Sequence, residues 1–225
     1  VINKYYYGKE LMQIDRKIDH VLFDFDGTLA NTLPLGFELY NEIAGQYNFI
    51  SADDSEIPQL MNMSIAEILK LKNIPLYMVP IALYNVKKKM KARLSEVEPF
   101  DGIKKFLYNL KDAGYHLSII SSNSKENMIK FLDMNDINVF NYIYSSTSLF
   151  GKDKLIKHYL KAVKTSPKKV LYVGDEIRDI EAAKSSGVKI VSVTWGYNDI
   201  ELLKKHEPDF LAESINQLED IILSK

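Results

Sequence analysis

The chain has 225 residues, 29 Lys and Arg against 30 Asp and Glu, a net charge of −1, and no cysteine. That length suits one large domain, or a core with a smaller addition, and the charge balance gives no global field to gather nucleic acid or an anionic membrane. With no such field any anionic ligand must be held by local groups, and without cysteine there is no disulfide, no thiolate metal site and no cysteine nucleophile.

Residues 1–19 read as an N-terminal extension, with Tyr5-Tyr6-Tyr7 and scattered charges but no apolar centre of a secretory leader. No apolar run approaches the ~20 residues of a membrane span, so the expected setting is cytoplasmic. Val21-Leu22-Phe23 then reads as a strand covered on both faces, and it runs into Asp24-Phe25-Asp26-Gly27-Thr28-Leu29. Two carboxylates at i and i+2 of a strand end point towards the same side. At ~4 Å and an effective dielectric of about 20, each like-charge pair costs on the order of 4 kcal/mol. A bound divalent cation or a shared proton would relieve that cost; capping of backbone amides is the structural alternative.

From residue 33 to residue 98 the pattern is helical throughout and reads as an inserted all-helical block. Ser64-Ile65-Ala66-Glu67 fits a capping box, Pro75 is expected to end that helix, and Leu83, Val86, Met90 and Leu94 share one face of a long helix. The same helix carries Lys87, Lys88, Lys89, Lys91 and Arg93, which form either a solvated face or a surface that attracts phosphate. Pro99-Phe100-Asp101-Gly102 supplies the return linker.

An α/β rhythm follows. Residues 102–113 form an amphipathic helix on Ile103, Phe106, Leu107 and Leu110, and Leu117 to Ile120 form a strand that ends in Ser121-Ser122-Asn123-Ser124. Hydroxyls and free amides at a strand-to-helix junction suit an anion, and they also suit ordinary N-caps. Tyr142 to Ser145 is a short strand, and Gly151-Lys152 opens the next helix. Val170 to Val173 is the clearest strand and ends in Gly174-Asp175-Glu176-Ile177-Arg178-Asp179, where Asp179 could cap the helix. Lys189 to Thr194 and Asp209 to Ala212 add strands, and a helix beginning near Ser214 closes the chain. The histidines at 20, 116, 158 and 206 lack metal-ligand spacing.

Four strand ends therefore carry, in order, Asp24 and Asp26, Ser121, Lys152, and Asp175 with Asp179. This constellation resembles the haloacid dehalogenase superfamily of phosphohydrolases over residues 20–224, in particular the subgroup of phosphoglycolate phosphatases and β-phosphoglucomutases. The resemblance implies a Rossmann-like parallel sheet flanked by helices, built from residues 20–32 and 99–225, with residues 33–98 as a C1-type cap. It implies Asp24 as nucleophile, Asp26 as acid and then base, and Lys152 as counter-charge. Gly27, Ser121, Ser122 and Lys152 would hold phosphate, while Asp24, the Asp26 carbonyl and Asp175 would hold Mg²⁺ with support from Asp179.

The implied function is Mg²⁺-dependent hydrolysis of a small soluble phosphomonoester, phosphoglycolate foremost, by a monomer or homodimer. A phosphosugar mutase and a non-catalytic phosphate-binding protein are the alternatives; dehalogenation is disfavoured because Asp26 is present. Asn31 departs from the Asp often found in such relatives.

Overall fold

A computed structural model of the protein describes residues 18–146 and 151–223. Of the expected extension over 1–19, residues 1–17 lie outside the described range. The described chain begins with strand β1 (His20–Phe23) and passes into the helical block: α1 (Leu33–Tyr47), α2 (Ile57–Met61), α3 (Ile65–Leu71) and α4 (Val79–Ala92). It then alternates through α5 (Ile103–Asp112), β2 (His116–Ser121), α6 (Lys125–Met134), β3 (Phe140–Ser145), α7 (Lys152–Ala162), β4 (Val170–Gly174), α8 (Ile177–Ser186), β5 (Lys189–Val193), α9 (Ile200–Lys205), β6 (Phe210–Ala212) and α10 (Ile215–Leu223).

The six strands are parallel, in the order β3-β2-β1-β4-β5-β6. β1 sits mid-sheet because both its faces are apolar. Val21 and Phe23 pack on one side with Leu117, Ile119, Leu171 and Val173, while Leu22 packs on the other with Ile120, Tyr172 and Ile190. Helices α5, α6 and α10 cover the first face; α7, α8 and α9 cover the second. The strand order reverses between β1 and β4, and such a reversal opens a crevice at the carboxyl ends of the strands. Asp24 and Asp175 are the residues that follow β1 and β4. His20 and His116 stack on adjacent strands, with ring centroids 4.9 Å apart, at the opposite edge of the sheet and away from that crevice.

In the helical block the Ser64–Glu67 capping box forms, with the Ser64 amide donating to Glu67 Oε2 at 2.7 Å. Two expectations shift. The helix opened by Ser64 ends at Leu71, before Pro75, and Asn73 then takes a left-handed conformation with φ 54° that turns the chain. The long helix ends at Ala92, so Leu94 reaches the core from a following tight turn, Leu94–Glu96. Most of the basic cluster is paired: Lys89 with Glu42, Lys91 with Glu126, and Arg93 with Glu38 and Glu96. Lys88 is exposed, and Lys87 donates to the Ser122 carbonyl at 3.0 Å. Asn31 is exposed and its backbone donates to the Glu98 carbonyl at 2.9 Å. No helix among the described residues is long and apolar enough to cross a membrane.

Candidate active site

Asp24 extends β1 by one residue, its N–H donating to the Val173 carbonyl of β4 at 2.8 Å, and this brings its side chain beside that of Asp175. Lys152 joins them from the N-terminus of α7. Gly151 precedes it with φ 137°, a conformation that L side chains rarely adopt, and this delivers the lysine inward rather than to the surface. Its Nζ donates to Asp24 Oδ2 and to Asp179 Oδ1, each at 2.5 Å. All four residues are buried, none more than 3 % exposed.

Oxygens of Asp24, Asp175 and Asp179 can lie within 4.8 Å of one another. Three hard oxygen donors at that spacing suit a divalent cation such as Mg²⁺ or Ca²⁺ better than a soft metal. The remaining contacts orient the trio. Thr28 Oγ1 donates to Asp175 Oδ1 at 2.7 Å, the Tyr197 amide donates to Asp175 Oδ2 at 2.7 Å, and the Glu176 amide donates to Asp179 Oδ2 at 3.1 Å. Asp179 is thus part of the cluster, where sequence reasoning gave it a supporting place.

Burial raises the Asp24 carboxyl against the pull of Lys152, and it raises Asp175 well above the usual carboxylate range, with Glu176 and Asp24 adding to the effect. Asp179 is pushed up to about 6 by burial, again opposed by Lys152. Burial would lower Lys152, but Asp179 and Asp24 outweigh it and keep the ammonium charged. Burial would also raise Glu176, yet Arg178, its ion-pair partner, and Lys152 hold it below its ordinary value. Negative charge therefore exceeds the fixed positive charge here, and a divalent cation would stabilise the ionised aspartates.

Asp26 stands apart from the trio. Asn123 Nδ2 donates to both of its carboxylate oxygens at 3.0 Å, and Asn123 is held in turn by Ser145 Oγ, which donates to its carbonyl at 2.5 Å. Burial raises the Asp26 carboxyl, against hydrogen bonds from Asn123 and Thr32. Ser121 is the last residue of β2 and fully buried; its Oγ accepts the Asn123 amide at 3.1 Å. Ser122 follows, half-buried, and Ser124 is the residue that caps α6.

The Gly27 N–H donates to the Ala30 carbonyl at 2.9 Å. The need for glycine there is steric: φ is +75°, and a Cβ would overlap the Asp175 carboxylate. A Cβ at Gly196 would overlap the Asp175 carboxylate as well. Asn123, Tyr197 and Gly196 were not legible as site residues. Each is an ordinary loop residue in sequence, and only the packing of the 121–124 and 195–198 loops against the strand ends gives it a role. Gly196→Ala should therefore displace Asp175. Its expected cost is about 1–3 kcal/mol of stability, typical of overpacking, and a calorimetric titration should show weakened Mg²⁺ binding.

A lysine-bridged carboxylate cluster at the carboxyl edge of a parallel sheet is the arrangement of an enzyme that brings a divalent cation and an anionic ligand together. Residues 21–193 match the family model described as haloacid dehalogenase-like hydrolase. The chain is 31 % identical over 199 residues to a phosphoglycolate phosphatase of Synechococcus elongatus, covering 88 % of this chain and 94 % of that one. It is 24 % identical over 209 residues to the pyrophosphatase PpaX of Bacillus pumilus, covering 91 % and 96 %. A crystal structure of a predicted phosphatase from Clostridium acetobutylicum superposes with a TM-score of 0.80 at 22 % identity, covering 92 % of this chain and 99 % of that one. The chain belongs to the haloacid dehalogenase-like hydrolase family, and it is an enzyme of the phosphoric monoester hydrolase kind.

Proposed function

We propose that the protein is a Mg²⁺-dependent phosphatase of small phosphomonoesters, that it works through an aspartyl-phosphate on Asp24, and that residues 33–98 are its cap. The observation that carries this reading is the buried Lys152 held between Asp24 and Asp179 at the crevice of the sheet. Lys152 offsets the charge that would otherwise keep a phosphate dianion away from the Asp24 carboxylate. Asp24 Oδ attacks phosphorus in line while the ester oxygen leaves as an alkoxide. Asp26, half-buried with a raised affinity for its proton, gives that proton to the leaving oxygen and then accepts one from the water that attacks the phosphoenzyme. On this reading Ser121 and the Ser122 amide donate to phosphate oxygens; Ser121 Oγ accepts the Asn123 amide at 3.1 Å and keeps its own O–H to donate.

The cation fits Asp24, Asp175 and Asp179, with the Asp26 carbonyl as a further donor; it would supply charge neutralisation for the phosphoryl oxygens. The activities named among the relatives, on phosphoglycolate and on pyrophosphate, share a phosphoryl group joined to a small anionic leaving group. Phosphoglycolate is the foremost substrate on this reading. Phosphate release from p-nitrophenyl phosphate and from 2-phosphoglycolate, with Mg²⁺ and with EDTA, tests it. Turnover should appear with Mg²⁺ and fall below about 1 % with EDTA, since charge neutralisation is worth several kcal/mol. Metal-independent turnover, or the appearance of phosphosugar isomers in excess of free phosphate, would count against it.

A further inference from the structure

Among the described cations of the helical block, those that are paired mostly meet carboxylates: Lys72 with Glu56, Lys89 with Glu42, Lys91 with Glu126, and Arg93 with Glu38 and Glu96. Lys70 and Lys88 are exposed to solvent. Lys87 is different. It is half-buried, it crosses from α4 to the core, and its Nζ meets a neutral acceptor, the Ser122 carbonyl, at 3.0 Å. An ammonium has three N–H groups, so that carbonyl leaves donor capacity, and a partly desolvated cation without a carboxylate gains most from an anion.

The place of this charge is informative. Ser122 follows Ser121 at the end of β2, and the next residue, Asn123, holds both oxygens of Asp26. Lys87 therefore stands over the loop that borders the proton-transferring carboxyl, which faces the leaving group of a substrate.

We propose that Lys87 is a specificity-determining residue that binds a second anionic group on the leaving-group side of the substrate, and so selects phosphoesters that carry a carboxylate or another phosphate close to the ester oxygen. This rests on the phosphatase reading above. Its Nζ donates a charge-assisted hydrogen bond to that group while the Ser122 carbonyl fixes its position.

The test compares 2-phosphoglycolate, which carries the second anion, with p-nitrophenyl phosphate, which does not. Lys87→Ala should lower kcat/KM for 2-phosphoglycolate at least about tenfold, mainly through KM, as expected for one lost charge-assisted hydrogen bond. The p-nitrophenyl phosphate value should stay within about threefold, and Lys87→Arg should recover part of the loss. Lys91→Ala breaks an exposed tie between the same helix and α6 and should leave both substrates within about twofold. Equal losses on both substrates in Lys87→Ala, or no loss on either, overturn the proposal. If neither substrate is turned over, the phosphatase reading fails, yet Lys87 remains testable. Calorimetric binding of 2-phosphoglycolate in Asp24→Asn should weaken about tenfold when Lys87→Ala is added, and unchanged binding overturns the assignment.

Discussion

Asp24→Asn should reduce phosphate release by at least about 10⁴-fold, because removing a nucleophile leaves only binding and electrostatic stabilisation to act. Acid-quenched wild-type protein should carry one phosphoryl group on the peptide containing Asp24, and the variant should carry none. The fold should survive the change. Asn is isosteric, Lys152 keeps Asp179 as a partner at 2.5 Å, and one buried negative charge is removed from beside Asp175. Residual turnover above a tenth of wild type, or a phosphoryl group found on another residue, would exclude Asp24 as the nucleophile.

Lys152→Met has the other large effect, and it falls on stability as well as on rate. The wild-type ammonium is the cation that separates two buried carboxylates, those of Asp24 and Asp179. Its removal takes away the cation both carboxylates contact and leaves only the more distant charge of Arg178, which already pairs with Glu176; loss of a buried partner of this kind costs about 3–5 kcal/mol. For a chain of this size each kcal/mol shifts Tm by about 2–4 °C, so a drop of roughly 6–20 °C is expected in a metal-free melting scan. Millimolar Mg²⁺ should restore part of it, since a cation bound only by the folded state stabilises that state. Lys152→Arg should keep more of the stability while remaining slow, because a planar guanidinium cannot place a point charge between two carboxylates in the same volume. A metal-free Tm within 2–3 °C of wild type in Lys152→Met would show that the bridge contributes little.

The elements were legible where local chemistry and periodicity agree. Val21-Leu22-Phe23 and Val170 to Val173 read as buried strands, and the Ile103, Phe106, Leu107 and Leu110 stripe as one face of a helix, and each forms as read. Ends were less legible. The helix after Ser64 stops at Leu71 because Asn73 turns the chain left-handed, and no residue type announces that position as strongly as Pro75 does. The charge run on α4 read as one feature, yet the structure divides it: three residues pair with glutamates, one faces water, and Lys87 reaches the core.

By itself the sequence determined which residue types could do chemistry and in what order they leave the strands: Asp24 and Asp26, Ser121, Lys152, Asp175 and Asp179. That much follows because parallel strands place their carboxyl ends along one edge, so residues far apart in the chain converge there whatever the details of packing. Tertiary structure alone decided how those groups are divided. It brought Asp179 into the cluster with Asp24 and Asp175, set Asp26 aside on Asn123, and packed Gly27 and Gly196 against the Asp175 carboxylate. Hydrogen bonds and steric exclusion act over a few ångströms, and the partners lie far apart in the chain, Thr28 and Asp175 by 147 residues. No spacing rule in the sequence reaches that far.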